Sequence, residues 1–131
     1  MNKVVARFAD GRVLKGTTTD FLPAKAYFHM NVVDGAAAEP LTIPVADLKA
    51  LFFVKDFDGT PDRAKQKDFD PARPMPGRRI KVVFKDGEEL TGVTQGYQPD
   101  RPGFFVEPAD PGSNNERCFV VAAAAEEVTF I

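Results

Sequence analysis

Two residues of this chain carry side chains that are often used in catalysis. His29 is the only histidine and Cys118 the only cysteine among the 131 residues. A histidine base or a cysteine nucleophile needs an activating partner. The sequence places no carboxylate or cysteine at metal-ligand spacing from His29, and no histidine in the half of the chain that contains Cys118. We therefore expect His29 on a strand surface, Cys118 in the core, and a protein that is not an enzyme, with no catalytic residue, metal or cofactor.

Three arginines that could bind an anion lie close together in the sequence, just before the last third of the chain. A guanidinium group can hold a phosphate through two parallel hydrogen bonds. The candidates lie in and just after a proline-rich stretch and are Arg73, Arg78 and Arg79. A solvated run of charges explains the same pattern, so nucleotide or nucleic-acid binding (RNA or a cyclic dinucleotide) is the alternative hypothesis.

Two loops near the C-terminus combine aromatic, arginine and asparagine side chains, of which tyrosine and arginine are enriched in protein interfaces. Three alanines at 36–38 occupy the place that Ser-Asn-Asn occupies at 113–115 in a second copy of the same pattern. Turn geometry by itself also favours asparagine and glycine there. The main hypothesis is a binding or adaptor module for a protein partner, acting through Tyr97, Arg101, Asn114, Asn115 and Arg117.

The chain contains one pattern twice. Residues 4–16 and 80–92 share the same frame, 76 positions apart, and the match continues to the C-terminus after a one-residue insertion. An Asp-Gly pair stands at 10–11 and again at 86–87. Such a pair between alternating apolar residues predicts a tight hairpin with positive φ at the glycine. The second glycines, Gly16 and Gly92, lie inside the returning strands and predict a bulge or a bend.

Each copy predicts five short strands with one helical turn before the last. The first copy has strands at 3–8, 12–21, 27–33, 41–45 and 51–54 and its helical turn at 46–50. The second has strands at 79–84, 89–97, 103–107, 118–121 and 128–131 and its helical turn at 122–127. This pattern is typical of a small, strongly bent barrel. We therefore predict an all-β chain of two tandem five-stranded barrels, 1–54 and 79–131, each near the lower size limit for independent stability.

Residues 55–78 belong to neither copy and form a predicted linker. Thr60, Pro61 and Asp62 are a helix-start signal, with a cap, a proline at the first helical position and an acidic residue beside it. They predict a short helix over 61–69. The prolines that follow cannot continue a helix and predict an extended stretch up to the second copy.

The repeated unit resembles Sm-like and SH3-like barrels, in which a strand, an Asp-Gly turn and a glycine-bent second strand begin the fold. The whole chain also resembles an uncharacterised bacterial family of domains of unknown function, through the stretches 52–57, 95–97, 101–105 and 113–117. That resemblance implies no activity. RNA-binding Sm proteins hold a base with an Asp and an Asn after the second strand, and neither copy has that pair at 21–26 or 97–102.

Composition and charge narrow the classes of partner. The formal net charge is −2 and 44% of the residues are hydrophobic, so the chain can form a core and has no overall attraction to nucleic acid. No apolar run approaches the roughly 20 residues of a membrane span. These features predict a cytoplasmic protein with no membrane contact, for which nucleic acid is a disfavoured partner. The edge strands of the barrels would allow a homo-oligomer.

Overall fold

The computed structural model describes residues 2–32, 39–55, 76–98, 100–109 and 115–131, with residue 115 described by its backbone alone. The first half contains β1 (Asn2–Phe8), β2 (Val13–Thr18), β3 (Tyr27–Val32), β4 (Leu41–Pro44) and β5 (Leu48–Val54). The second half contains β6 (Arg78–Phe84), β7 (Glu89–Thr94), β8 (Gly103–Pro108), β9 (Asn115–Val121) and β10 (Ala125–Phe130). The predicted helix at 61–69, Arg73 and Asn114 lie outside the described residues.

The ten strands form one open antiparallel sheet in the order β10-β6-β7-β8-β9-β5-β1-β2-β3-β4. The all-β prediction is confirmed, and each half repeats the same internal strand order. The prediction of two barrels goes further than the structure, because the sheet formed by the described residues is not closed and β10 and β4 stand at its edges. The reason is that β5 pairs with β1 on one side and with β9 on the other, so the ladder runs from one copy into the next.

The duplicated hairpin turns have the predicted backbone. Gly11 has φ 98° and Gly87 has φ 90°, the left-handed region that favours glycine. Each glycine N–H donates to the carbonyl of the phenylalanine three residues before it, over 3.1 Å from Gly11 to Phe8 and 2.8 Å from Gly87 to Phe84. The two Asp-Gly pairs therefore make equivalent turns.

The bulges lie elsewhere than expected. The register of β2 against β1 and of β7 against β6 is unbroken at Gly16 and Gly92. The irregularities in the described strands occur where β5 meets β1, where β10 meets β6 and where β5 meets β9. They leave Lys49, Glu126 and Glu116, respectively, without a directly paired residue in these ladders. A bulge redirects the side chain of the extra residue, which matters below for Lys49.

The helical turns are shorter than predicted. Each is a three-residue 3-10 turn, at Val45–Asp47 and Ala122–Ala124, and the closing strands begin directly afterwards at Leu48 and Ala125. Alanine has a high helix propensity, but pairing with β1 and β6 holds the following residues extended. Tertiary pairing therefore overrides local propensity at both places.

Two hydrophobic cores lie on opposite faces of the central strands. Leu51 and Phe53 of β5 and Phe119 and Val121 of β9 belong to the core of the first half. The alternate residues of the same strands belong to the core of the second half: Ala50, Phe52, Val54, Cys118 and Val120. Because neighbouring residues of a strand point to opposite faces, β5 and β9 contribute to both cores at once. The two halves consequently share their interior.

Candidate functional site

A polar groove crosses the middle of the sheet, where β1 begins, β5 ends and β9 begins. It has a volume of about 390 Å³ and is lined by Asn2, Lys3, Phe53, Val54, Lys55, Glu116 and Arg117. Three of these residues are basic and one is acidic. We call this site the basic groove. Among the residues proposed from the sequence, it contains Arg117, and the backbone of Asn115 enters the sheet beside it, opposite Val54.

Arg117 is held in place by two aromatic rings. Its guanidinium carbon lies 4.4 Å from the ring centroid of Phe53 and 4.7 Å from that of Phe105. Both distances are within the range of cation–π attraction. The two rings are themselves neighbours, with centroids 6.1 Å apart. The guanidinium group is therefore oriented before any ligand arrives.

Tyr97 and Arg101 lie at a different place. The Tyr97 ring packs edge-on against Phe104 and Phe130, with centroids 4.9 Å and 5.4 Å away, and covers the second core. Arg101 is exposed, and its Nε donates to Gln98 Oε1 over 2.7 Å. Both residues come just before β8, near the end of the β8–β9 ladder at which Gly103 pairs with Val121. Arg117 lies near the other end of this ladder, at which Val106 pairs with Cys118. Of the proposed loop residues whose side chains are described, Tyr97 and Arg101 therefore do not share a site with Arg117.

The linker arginines are also separated from the basic groove. The guanidinium carbon of Arg78 lies 3.7 Å from the Phe130 ring centroid, at the edge of the second core. Arg79 is exposed on the neighbouring position of β6, where it faces Val93 of β7. Arg73 lies outside the described residues. The structure thus places Arg78 against an aromatic ring.

The only histidine has a carboxylate partner that the sequence analysis missed. His29 Nδ1 lies 2.6 Å from Asp20 Oδ2, and the His29 backbone N–H donates to Asp20 Oδ1 over 2.9 Å. These bonds, with one from Thr18, hold the pKa of Asp20 below its usual value. An Asp–His pair can orient an imidazole for proton transfer. His29 is exposed on β3, as predicted, and Asp20 lies between β2 and β3.

Cys118 lies in the core, as predicted. It is fully buried among apolar residues, and burial raises the pKa of its thiol far above the normal range. A thiol that stays protonated is neither a nucleophile nor a metal ligand. Within the described ranges no group of three or more His, Cys, Asp or Glu side chains could hold a metal ion. In the same part of the chain no helix is long and apolar enough to cross a membrane.

An ion cluster joins the two copies through Lys49. Its ammonium group donates to Asp86 Oδ2 over 2.7 Å and to Glu88 Oε1 over 3.0 Å, although Lys49 belongs to the first copy and both acids to the second. The Lys49 side chain is 9% exposed and lies over the Phe84 ring, with Nζ 4.6 Å from the centroid. In the first copy the corresponding aspartate, Asp10, is bound by Arg12 instead. The bulge of β5 is what turns Lys49 toward the other copy.

A signal for this cluster exists in the sequence. Glu88 stands where the first copy has Arg12, and Glu126 stands where it has Lys49. Two exchanges of charge sign between duplicates indicate that one copy complements the other. The sequence analysis had placed Lys49 in a helical turn and did not compare the charges.

Comparison with known families decides the classification. The model of a family of unknown function, DUF6982, matches residues 1–131, which is the whole chain. The chain belongs to DUF6982. Neither the curated proteins nor the solved structures that were compared with this DUF6982 chain contain a match. The resemblance to an uncharacterised family is thereby confirmed, and it brings no activity with it.

The Lys49 cluster predicts a pH effect in this DUF6982 chain. The hydrogen bond from Lys49 is the largest cause that lowers the folded-state pKa of Asp86 below 3.8. A lowered folded-state pKa stabilises the fold above the unfolded-state value, and that stabilisation is lost as the pH falls through the folded-state pKa. As the pH falls from about 6 to about 2.5, we expect the free energy of unfolding to decrease less in Lys49→Met than in the parent, measured by urea unfolding at each pH.

Lys85→Met is the matched control for this pH experiment. Lys85 is exposed on the same hairpin as Asp86 and is not among the groups that shift the pKa of Asp86. It should therefore show the same acid sensitivity as the parent. Equal loss of stability in the Lys49→Met and Lys85→Met variants would show that Lys49 does not set the protonation of Asp86.

Proposed function

We propose that this protein is a non-enzymatic protein-binding module that receives an acidic segment of a protein partner in the basic groove. The observation that carries the proposal is Arg117, whose guanidinium group lies over the rings of Phe53 and Phe105 in a groove that two lysines also line. Arginine and aromatic side chains dominate the binding energy of protein interfaces. A side chain that is already ordered loses less conformational entropy on binding.

The charge of the groove supports an acidic ligand. Three charged residues that line the groove are basic (Lys3, Lys55 and Arg117) and one is acidic (Glu116), while the chain as a whole has a formal net charge of −2. The local positive charge is therefore a property of this groove and does not reflect the overall composition. A long polyanion would meet the negative remainder of the surface, whereas a short acidic peptide need contact only the groove.

The duplicated strand order supports a binding role of the kind that small β modules have. We interpret each half as a Sm-like/SH3-like unit whose ladder continues into its neighbour. Each half then contributes to the groove, with Lys3 and Phe53 from the first copy and Glu116 and Arg117 from the second, while Lys55 directly follows the first copy. The groove depends on the pairing of β5 with β9, so a single copy would not form it.

Arg117→Met tests this function because it keeps an apolar stem over the rings and removes the charge. A hydrogen bond to a charged group contributes about 1.5–3 kcal/mol. We expect the variant to bind a fluorescein-labelled peptide of alternating Glu and Gly at least about tenfold more weakly than the parent, measured by fluorescence polarisation. Its melting temperature should stay within a few degrees of that of the parent.

Arg12→Met is the matched control for Arg117→Met. Arg12 also lies over a ring, 4.4 Å from the Phe8 centroid, and is exposed, but it belongs to the β1–β2 turn. It should leave peptide binding unchanged. If the protein instead bound a single-stranded RNA or a cyclic dinucleotide, and lost that ligand in an Arg78→Ala, Arg79→Ala variant, the nucleic-acid hypothesis would replace this one.

A further inference from the structure

The strand β10 is an edge strand of the described sheet, whereas its counterpart in the first copy, β5, is a central strand. β5 lies between β1 and β9, and all seven of its residues are buried. β10 occupies the same place in the second copy, but in the described part of the chain it has one neighbour, β6. Every residue of β10 is half-buried or exposed.

The open side of β10 presents the peptide groups of two residues. The N–H of Ile131 donates to the carbonyl of Arg79 over 3.1 Å, which sets the alternation of the antiparallel ladder. The backbone N–H and C=O groups of residues 127, 129 and 131 therefore point toward β6, and those of Val128 and Phe130 point away from it. Their counterparts in β5 are Leu51 and Phe53, which pair with Phe119 and Arg117 of β9. The first copy thus shows how an added strand occupies this edge.

A pocket lies beside the open edge, where the first copy has a filled core. Phe21, the counterpart of Tyr97, contacts Phe119 from the other half, with centroids 5.1 Å apart. Beside Tyr97 the corresponding space is a pocket of about 300 Å³, which we call the Tyr97 pocket; it is lined by Tyr97, Phe104, Ala122, Ala125, Glu126, Glu127 and Val128. Leu51 and Phe53 are 0% and 4% exposed, whereas Val128 and Phe130 are only half-buried.

We propose that β10 accepts an extended segment of a partner protein as an additional antiparallel strand. The partner residue opposite Val128 fills the Tyr97 pocket with an aromatic or large aliphatic side chain, as Phe119 does opposite Leu51. The next partner residue lies opposite Glu127, as Val120 lies opposite Ala50. Glu126 and Glu127 are exposed, so this partner residue is basic. The recognised segment alternates apolar and basic residues.

A second copy of this chain fits the edge poorly. A second copy would offer one of its own edge strands, β10 or β4. A second β10 would bring another Glu126 and Glu127 to this acidic edge, and like charges opposite each other destabilise a strand pair. In and just before β4, positions 40, 42 and 44 point outward, because the N–H of Val45, directly after the strand, donates to the Ala26 carbonyl of the first half. Two of these are Pro40 and Pro44, which have no N–H to donate. Thr42 would stand in the place of Phe119 and could not fill the pocket. The prediction of a homo-oligomer through edge strands stays a prediction, and pairing of β4 with β10 is disfavoured.

This inference goes beyond the proposed function. The basic groove takes an acidic segment at the middle of the sheet, whereas β10 takes a basic segment at its edge. A substitution can therefore abolish binding at one of these surfaces and leave binding at the other unchanged. Together they would make the protein an adaptor that holds two segments of opposite charge.

Hydrogen exchange first tests whether the edge is open. In the free protein the amides of Val128 and Phe130 should exchange rapidly, while those of Leu51 and Phe53 stay protected by β9. Slow exchange at Val128 and Phe130 would mean that residues 56–75 or a second copy already covers β10, and it would overturn the proposal.

Binding of a defined peptide then tests the partner chemistry. The probe is a peptide of the β9 sequence 115–121 with Cys118→Lys and Val120→Lys. We expect it to bind at millimolar concentration or below and to protect the Val128 and Phe130 amides. The same peptide with Phe119→Gly should bind at least about tenfold more weakly, because the Tyr97 pocket stays empty. No protection at millimolar peptide, or equal binding of both peptides, would overturn the proposal.

Two variants of the protein locate the site of the peptide. Val128→Pro removes an N–H that faces away from β6, so it should abolish binding while the ladder with β6 stays intact. Glu127→Lys should weaken binding of the lysine peptide about fivefold and strengthen binding of a peptide with Glu at the two lysine positions. This charge reversal tests the site even if the Val128→Pro variant does not fold. Arg117→Met should leave binding of the lysine peptide unaffected, and loss of that binding would place the lysine peptide in the basic groove instead.

Discussion

Residues 1–56 and residues 77–131, produced separately, are expected to give poorly dispersed NMR spectra and no cooperative thermal transition. The first fragment loses Phe105, Phe119 and Val121 from its core and exposes Ala50, Phe52 and Val54 of β5 to water. Fully burying one large apolar side chain contributes about 1.5–3 kcal/mol. Since the net stability of a domain is about 5–15 kcal/mol, these losses together are comparable with the whole of it.

A cleaved full-length protein is the control for the fragments. A protease site placed between residues 56 and 75 and cut after folding leaves β5 paired with β9. We expect this nicked protein to keep the dispersed spectrum of the parent. A dispersed spectrum from either separate fragment would show that the copies fold independently and that the shared strands are not required.

Gly92→Ala is expected to destabilise the protein by about 3 kcal/mol or more, which is the upper end of the cost of overpacking. A Cβ at Gly92 would lie 2.0 Å from the carbonyl oxygen of Glu107 in β8. That atom belongs to the backbone of the neighbouring strand, so β7 and β8 must separate to make room. Gly16→Ala should behave in the same way, with its Cβ 2.2 Å from the carbonyl oxygen of Asn31. Urea unfolding measures both changes.

Gly96→Ala is the control for these two glycines. No heavy atom lies within 4 Å of a Cβ placed at Gly96. Its change in the free energy of unfolding should stay within about 0.5 kcal/mol, as for an ordinary surface substitution. If Gly92→Ala unfolded at the same urea concentration as Gly96→Ala, the close approach of β7 and β8 would not be a requirement of the fold.

The local features of this fold could be predicted because their causes lie within a few residues. An Asp-Gly pair needs positive φ at its glycine, and the structure has φ 98° and 90° at the two positions. Apolar runs between turn residues predict ten strands, and the repeat with its 76-residue offset predicts equivalent turns in both copies. The glycines Gly16 and Gly92 were recognised as special, but the cause is the backbone of the neighbouring strand and not a bulge.

The candidate sites could be predicted only in part. Arg117 was selected from the sequence for its loop, yet its orientation depends on Phe53, which is 64 positions earlier in the chain. Tyr97 is predicted as an interface residue from its type and its loop, and only the structure shows that its ring packs against the second core. The Lys49 cluster was missed. In each case the deciding contact joins the two copies or closes a core, and no pattern within one copy specifies it.

By itself the sequence determined the all-β class, the duplication and the turns, because dihedral preferences and alternation act locally. Only the tertiary structure decided that β5 pairs with β9 and that β10 is an edge strand of the sheet formed by the described residues. The two closing strands do differ in a way that matches this outcome. β5 is apolar at six of its seven positions, as expected for a strand buried on both faces, whereas β10 carries Glu126 and Glu127. A strand that is buried on both faces shows no alternation, and its partner strand is therefore set by packing across the whole sheet.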